Sequence, residues 1–418
     1  MLILDYKLRA NKAQQTAIDE AIRTTQFIRN KCLRLWMDGR GIGDNTLQVY
    51  CAQVAREHPF AARLNSQARQ TSADRAWLSI ARFYKNCREK KPGKKGYPQF
   101  QHNNRSVEYK QTGWRMEPDG QRLTFTDGMG IGTVRLIGAN PTRKKARPIA
   151  TFPIGQIKRV RLVKRADGYY VQFAVKAERS LPHAPTGKQV GIDVGLKSFY
   201  TDSEGATVAN PRYLRKAEKQ LKRLHRRKDR KKKGSKNRKK AIKRLAKGYL
   251  KVSRQRKDFA AKTASALVKS SDFIAYEDLK MAHLVKNHHL AKSISDASWG
   301  LFLSWLRYYG ALHGIPVVAV SPRFTTQDCS GCGFRVKKSL SMRTHICPSC
   351  GLMLDRDWNA ALNILMAGLT WLASHPASAG HSRTAGQTET GSGTPEQNAS
   401  GQTASTNVFA RARRKRAG

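Results

Sequence analysis

The sequence predicts an α/β domain interrupted by a metal-organised ribbon and preceded by a β-rich module with a helical insertion. Three observations predict it. Two cysteine turns, Cys329-Ser-Gly-Cys332 and Cys347-Pro-Ser-Cys350, are matched in spacing. The acidic, helix-opening run Asp355-Arg-Asp357-Trp-Asn-Ala-Ala-Leu-Asn-Ile begins within five residues of the second turn. Along the rest of the chain the hydrophobic period switches in blocks between the 3.6 of helices and the 2 of strands.

Taken in order, residues 1 to 11 read as a strand, and 12 to 37, 44 to 57 and 66 to 89 carry helical periodicity, the last through Ala76, Leu78, Ala81 and Phe83. Lys91-Pro-Gly-Lys-Lys-Gly-Tyr-Pro ends that block. The period then becomes 2 over 121–125, 132–137 and 157–175, with turns at Pro118-Asp-Gly and Ala166-Asp-Gly. A helical insertion, 12–91, is therefore expected inside a β-rich module built from 1–11 and 92–180. After the linker Ser180-Leu-Pro-His-Ala-Pro-Thr-Gly, residues 189 to 208 read as a three-stranded meander with Asp193 at the end of its first strand.

Residues 212 to 257 carry a sparse apolar stripe (Leu214, Leu221, Leu224, Ile242, Leu245, Ala246 and Leu250) within dense basic runs, which predicts two basic helices with a tip at Gly234-Ser235. Phe273 to Tyr276 is a short apolar strand ending at Glu277. Trp299, Phe302, Trp305, Tyr308 and Tyr309 follow helical spacing and suit core packing better than a base-stacking platform. A further buried strand, 315–320, leads into the cysteine segment. The α/β domain is thus expected as 186–323 and 354–375, split by a ribbon at 324–353. The Ser-, Gly- and Thr-rich tail, 376–418, is expected to be disordered.

Two CxxC turns separated by fourteen residues can present four thiolates tetrahedrally to Zn²⁺. Cys329, Cys332, Cys347 and Cys350 fill such a site and leave no open position, so the zinc is expected to be structural. It needs no further ligand from His345, His288 or His289. Cys32, Cys51 and Cys87 are isolated in the sequence and read as buried free thiols.

The 418 residues carry a net charge of +50, which disfavours a compact isolated chain and points to a polyanionic partner. Nucleic acid fits. No long apolar segment supports a membrane role, and Met-Leu-Ile-Leu-Asp-Tyr-Lys at the N-terminus lacks the apolar core of a secretion signal. A cytoplasmic location is expected, where thiols stay reduced and bind metal.

Against this basic background three carboxylates stand out. Asp193 beside Gly195 could be a turn former, Glu277 a solvent-facing strand end, and Asp357 a charge complementing a helix N-terminus capped by Asp355. Gathered in one pocket they would repel one another unless cations held them. Two Mg²⁺ ions would supply those cations and the chemistry of phosphodiester cleavage, the arrangement expected of a ribonuclease H type nuclease.

Gly-Ile-Asp193-Val-Gly-Leu-Lys, Ala-Tyr-Glu277-Asp-Leu, Thr326-Gln-Asp-Cys-Ser-Gly-Cys-Gly and Asp355-Arg-Asp357-Trp-Asn-Ala-Ala-Leu-Asn-Ile occur in that order. With them the chain resembles the TnpB (OrfB-type) family of transposon-encoded RNA-guided nucleases, related to compact type V CRISPR effectors. The resemblance runs from Leu-Arg-Ala-Asn-Lys-Ala-Gln-Gln to about residue 370. It implies a split ribonuclease H-like (RuvC-like) domain with the zinc ribbon inserted before its third acidic motif, and a β-barrel-like wedge domain with a helical recognition insertion. It implies catalytic, Mg²⁺-binding roles for Asp193, Glu277 and Asp357, with Asp355 as the fallback for the third. It also implies guide RNA and target DNA with a short flanking motif as partners.

Arg226, Arg227, Lys231, Lys232, Lys239 and Lys240 would contact phosphates of the guide–target heteroduplex. Asn65, Ser66, Gln67 and Gln70 would read base edges of the flanking motif, or simply open a helix. Two other functions use the same motifs: a transposase or recombinase that joins strands, and a non-catalytic zinc-containing DNA-binding regulator.

Overall fold

The computed structural model describes residues 1–139, 149–339 and 342–375. The tail expected to be disordered, 376–418, lies outside the described residues. The chain divides into two units, Met1–Glu178 and a second from Arg179 onward.

In the first unit, β1 (Leu2–Arg9) is followed by α1 (Lys12–Asp38), α2 (Asp44–Glu57), the short α3 (Pro59–Ala62) and α4 (Ser66–Arg88). The strands β2 (Ser106–Tyr109), β3 (Trp114–Met116), β4 (Arg122–Phe125), β5 (Gly132–Ile137), β6 (Ile157–Arg165) and β7 (Gly168–Val175) come next. Among the described residues they form one antiparallel seven-stranded sheet in the order β2-β6-β7-β1-β5-β4-β3. No backbone ladder joins β2 to β3 there, so the ladder is open at both ends.

Alternation in β1 turns Leu4, Tyr6 and Leu8 inward. Helix α1 starts where Asn11 and Gln14 form a reciprocal capping box, and it buries Ile18, Ile22, Ile28 and Leu33 against the same core. Cys32 and Cys51 are buried here with their sulfurs 3.9 Å apart, so they are isolated in sequence only. Cys87 departs from the expected burial: it lies in the last turn of α4 and is exposed.

Glu108 on β2 is 2% exposed, yet it is a carboxylate. It is compensated by Arg159 Nη1 at 2.6 Å, Arg161 Nε at 2.6 Å and Arg75 Nη2 at 3.4 Å. Burial pushes its carboxyl up, but Arg161, Arg75 and Arg159 together hold it at about 2. Because the folded value lies below the unfolded one, its stabilisation is complete above the ordinary carboxylate range and fades as pH falls towards 2. Glu108→Ala leaves three cations uncompensated and is expected to cost about 3 kcal/mol. Chemical denaturation at pH 7 and pH 3 checks this: an equal cost at both would contradict it.

In the second unit, β8 (Gln189–Asp193), β9 (Ser198–Asp202) and β10 (Thr207–Ala209) form the expected meander. The helices α5 (Tyr213–Asp229) and α6 (Lys236–Lys269) lead to β11 (Phe273–Glu277). The short α7 (Met281–Leu284), α8 (Ala291–Ala297) and α9 (Trp299–His313) precede β12 (Val317–Val320). Two small strands, β13 (Thr344–Ile346) and β14 (Met353–Asp355), pair with each other ahead of α10 (Arg356–Ser374). The sheet order is β10-β9-β8-β11-β12, with β8, β11 and β12 parallel and β9 and β10 antiparallel.

Period-2 alternation divides this sheet cleanly. Val190, Ile192, Ile274, Tyr276, Val317 and Ala319 pack with α6 and α9 on one face. Trp299 and Phe302 are buried in that core and Trp305 and Tyr309 pack against it, as expected of a core stripe, whereas Tyr308 is half-buried and lies outside that cluster. Phe273, Ala275, Val318 and Val320 face α10 through Ile364, Leu365 and Leu369. The approach of α10 is unusually close because glycine stands where it touches. A Cβ on Gly191 would lie 2.2 Å from the Ala361 carbonyl oxygen, and one on Gly368 would lie 2.5 Å from the Ala275 Cβ.

The α5–α6 hairpin turns at Gly234 and Ser235, as expected, and Ser235 caps α6. Its seam is Leu221, Leu245 and Val252 with Leu214, Leu224 and Tyr249, whereas Ile242 of the predicted stripe is exposed. The chain entering β8 is tied down by Asp272, which accepts from the backbone N–H of Thr186 at 2.9 Å and Gly187 at 2.7 Å and pairs with His183. Those contacts, led by His183, hold the Asp272 carboxyl below its ordinary range.

Candidate active site and metal centre

The register of the parallel strands places the first two carboxylates. Ile192 pairs with Tyr276, so Asp193 and Glu277 occupy the next step at the C-terminal ends of adjacent strands. By alternation both lie on the face covered by α10, and strand carboxyl ends are where ligands gather in open parallel sheets. Asp357, in the first turn of α10, reaches the same place: its Oδ2 is 4.0 Å from the Cβ position of Gly195. Asp355 instead caps α10, accepting from the Asp357 backbone N–H at 2.8 Å, and its side chain is exposed.

The electrostatics reflect this crowding. Desolvation, then the charges of Glu277 and Asp357, raise the Asp193 carboxyl well above its ordinary range. Desolvation also raises Glu277, partly opposed by the Thr325 hydroxyl, which donates to Glu277 Oε1 at 2.5 Å. Asp357 pairs with Arg356 Nη2 at 3.0 Å and Arg343 Nη1 at 3.5 Å. The Asp193 carboxylate forms no hydrogen bond or ion pair among the described residues.

The ribbon is built from two knuckles of the same design. In the first, Cys329 N donates to Phe334 O and Gly333 N donates to Cys329 O at 2.9 Å. In the second, Cys347 N donates to Leu352 O and Gly351 N donates to Cys347 O at 3.0 Å. Gly333 and Gly351 adopt φ of +77° and +74°, which a β-carbon would strain. The sulfurs of Cys329 and Cys350 are 3.6 Å apart and those of Cys332 and Cys347 3.5 Å apart, and all four lie within 4.8 Å of one another. Tetrahedral thiolates about 2.3 Å from a zinc ion would sit about 3.8 Å from each other, so these four could hold one with little movement. Against the desolvation that pushes it up, backbone N–H groups of Cys350 and Ser349 hold the Cys347 thiol at about 6. Among the described residues this is the one group of three or more candidate ligands that is already so close.

The base-reading candidates are largely occupied. Asn65 caps α4, accepting from Gln67 N and Ala68 N, and Gln67 Oε1 accepts from Gln111 N and Thr112 N. Ser66 is exposed and Gln70 half-buried on the first turns of α4. The basic candidates differ: Arg226, Arg227, Lys231, Lys232, Lys239 and Lys240 are all exposed around the hairpin tip.

Thr325, Arg343 and Asn363 were not among the expected site residues. Asn363, four residues after Asn359, shares its helix face, and a pair of amides at that spacing was the available signal. Asn359 Nδ2 donates to Asp328 O at 2.8 Å and its Oδ1 accepts from Ser330 N at 3.0 Å. Asn363 Nδ2 donates to Thr325 O at 2.8 Å and Asp328 O at 2.7 Å. The first knuckle is thereby pinned to α10.

Fold and site together define an α/β protein with an acidic centre at its parallel strand ends and a four-cysteine ribbon docked on the adjoining helix. Residues 172–288 match the OrfB_IS605 family, described as a probable transposase, and residues 299–364 match the Cas12f1-like TNB domain. The resemblance to the TnpB (OrfB-type) family stands on these matches.

A putative RNA-guided DNA endonuclease of Streptomyces pristinaespiralis is 38% identical over 208 residues, 49% of this chain and 51% of that relative. The putative RNA-guided DNA endonuclease InsQ of Escherichia coli (strain K12) is 29% identical over 235 residues, 52% of this chain and 58% of its own length. The chain therefore spans about half the length of these curated relatives. The cryo-EM structure of a Cas12f1–sgRNA–target DNA complex shares the fold, with a TM-score of 0.52 and 16% identity over 85% of this chain and 83% of that one.

Proposed function

We propose that this protein is an RNA-guided DNA endonuclease whose second unit is a split ribonuclease H-like (RuvC-like) domain, with Asp193, Glu277 and Asp357 as its catalytic carboxylates. The observation that carries this reading is the convergence of those three side chains on one face of the sheet, two from adjacent strands and one from α10. A desolvated Asp193 repelled by Glu277 and Asp357, and only partly relieved by the Arg356 charge, fits a cation site. The three carboxylates would hold two Mg²⁺ ions, which when bound activate water and stabilise the leaving oxygen of a phosphodiester. Arg343 and Arg356 keep positive charge beside Asp357, and the Glu277 carboxylate is held by Thr325. Cys329, Cys332, Cys347 and Cys350 would hold structural zinc.

The names of the relatives support guide RNA and target DNA as partners. The exposed cations at the α5–α6 tip suit phosphate contact along a heteroduplex. We assign the strands of 1–11 and 92–180 to a wedge domain and the helices of 12–91 to a recognition insertion. With Asn65 and Gln67 engaged in capping and loop bracing, Ser66 and Gln70 are left as the candidate readers of a flanking motif. A cytoplasmic location accords with ligation through reduced thiols. Among the described residues no helix is long and apolar enough to cross a membrane.

The description of the matching family as a probable transposase favours one second reading, strand transfer by the same carboxylates. A single assay separates the two. RNA that copurifies with the protein is sequenced, and a DNA library matching it, with randomised flanks, is incubated with the complex and Mg²⁺. Hydrolysed ends at matched sites are the expected product, with binding that weakens steeply as salt rises. Joined strands would select the transposase, and cutting indifferent to the RNA would remove the guided part.

A further inference from the structure

Resting on the nuclease reading above, we propose that Thr325 is a positioning residue for Glu277, and that it couples cation binding at the carboxylate centre to the folded ribbon. Thr325 is 7% exposed and Glu277 8% exposed, so the 2.5 Å hydrogen bond from Thr325 Oγ1 to Glu277 Oε1 is shielded from water. A buried donor to a carboxylate fixes its orientation and occupies one lone pair, leaving the others for a cation.

Thr325 is itself held from the opposite side. Its carbonyl oxygen accepts from Asn363 Nδ2 on α10, the helix that carries Asp357. The same amide reaches Asp328 O, the residue before Cys329, and Asn359 grips Asp328 O and Ser330 N. One threonine thus spans from the end of β11 to α10, four residues ahead of the first zinc ligand. Glu277 is oriented by a loop whose other end is the ribbon, while the loop's carbonyls hold the helix bearing the third carboxylate. Residues that orient metal ligands from behind typically matter 10- to 100-fold for affinity or activity.

The test compares Thr325→Val, which keeps the shape and removes the hydroxyl, with Thr325→Ser, which restores it, and with Glu277→Gln. Mn²⁺ binding to the zinc-loaded full chain without nucleic acid is measured by calorimetry, alongside zinc content and the Mg²⁺ dependence of DNA cleavage. T325V is expected to weaken Mn²⁺ binding about tenfold or more, to raise the Mg²⁺ needed for half-maximal cutting by a similar factor, and to keep its zinc. T325S is expected to behave as the unaltered protein. Unchanged Mn²⁺ binding in T325V, with binding weakened in E277Q, would overturn the role of Thr325 and leave the carboxylate centre standing. Binding unchanged in both variants would overturn the centre as well. Loss of zinc in T325V would replace positioning with a purely structural role.

Discussion

Replacing Asp193 with asparagine is expected to abolish cutting of matched DNA, with a loss on the order of 10³-fold or about 4 kcal/mol of transition-state stabilisation, and yet to raise the melting temperature. The second effect follows from the site's own electrostatics. Asp193 is desolvated and faces two other carboxylates, and both effects raise its carboxyl far above its ordinary range. A carboxyl that keeps its proton longer in the folded state than in the unfolded one makes stability fall as pH rises between those two values. The neutral amide of D193N would remove that decline, so its gain, about 1–2 kcal/mol at neutral pH, should vanish below about pH 4. Thermal melts of zinc-loaded protein at pH 4 and pH 7, without added Mg²⁺, check the prediction. Lower stability of the variant at pH 7 would show that the three carboxylates do not share a repulsive pocket. Unaltered cutting would remove Asp193 from the catalytic set, whereas unaltered activity in cells would favour the non-catalytic regulator.

The second large effect concerns the ribbon. Cys347→Ser should remove stoichiometric zinc and, with it, apparent binding energy on the order of 10 kcal/mol that folds such sites. The consequence should reach beyond the knuckles. Asn359 and Asn363 hold carbonyls and an amide between Thr325 and Ser330, so that segment loses its anchorage when the first knuckle opens. Hydrogen exchange by mass spectrometry is expected to show rapid exchange across 325–334 and 344–352, with cleavage reduced about 100-fold. Elemental analysis of the unaltered protein should give one zinc per chain. Protected ribbon amides in the serine variant, or zinc-free unaltered protein with normal exchange, would sink the idea.

Much of this arrangement was legible in the chain. The meander of β8, β9 and β10 and the buried β11 follow from alternation and from short apolar runs, and the α5–α6 turn from Gly234-Ser235. Each CxxC spacing brings two thiolates to one turn, and two matched turns supply the four that a structural zinc takes. The strands β2 and β3 went unread: β2 buries three residues in succession, the charged Glu108 among them, instead of alternating, and β3 is a three-residue piece with no apolar run of its own. Glu108 was equally hidden, since its burial depends on Arg75, Arg159 and Arg161, each more than thirty residues away.

Thr325 illustrates the general difficulty. Its partner Glu277 is 48 residues distant and a threonine has no local signature for orienting a carboxylate. Asn65 and Gln67 show the converse: amides at a helix start could read bases or brace the fold, and only their partners distinguish the two. Side chains whose meaning lies in their neighbours are read from a sequence only when the neighbours are local.

The tight seat of α10 has one last consequence. Glycine at 191 admits the Ala361 carbonyl to within 2.2 Å of where a side chain would begin, and Gly368 does the same against Ala275 further along the helix. The gap between the strand carboxylates and Asp357 is therefore gauged by two absent atoms rather than by any contact that could be tightened or relaxed. Drift at either glycine would displace the helix as a rigid rod and take the third carboxylate with it, so these two silent positions are as constrained as the acids themselves.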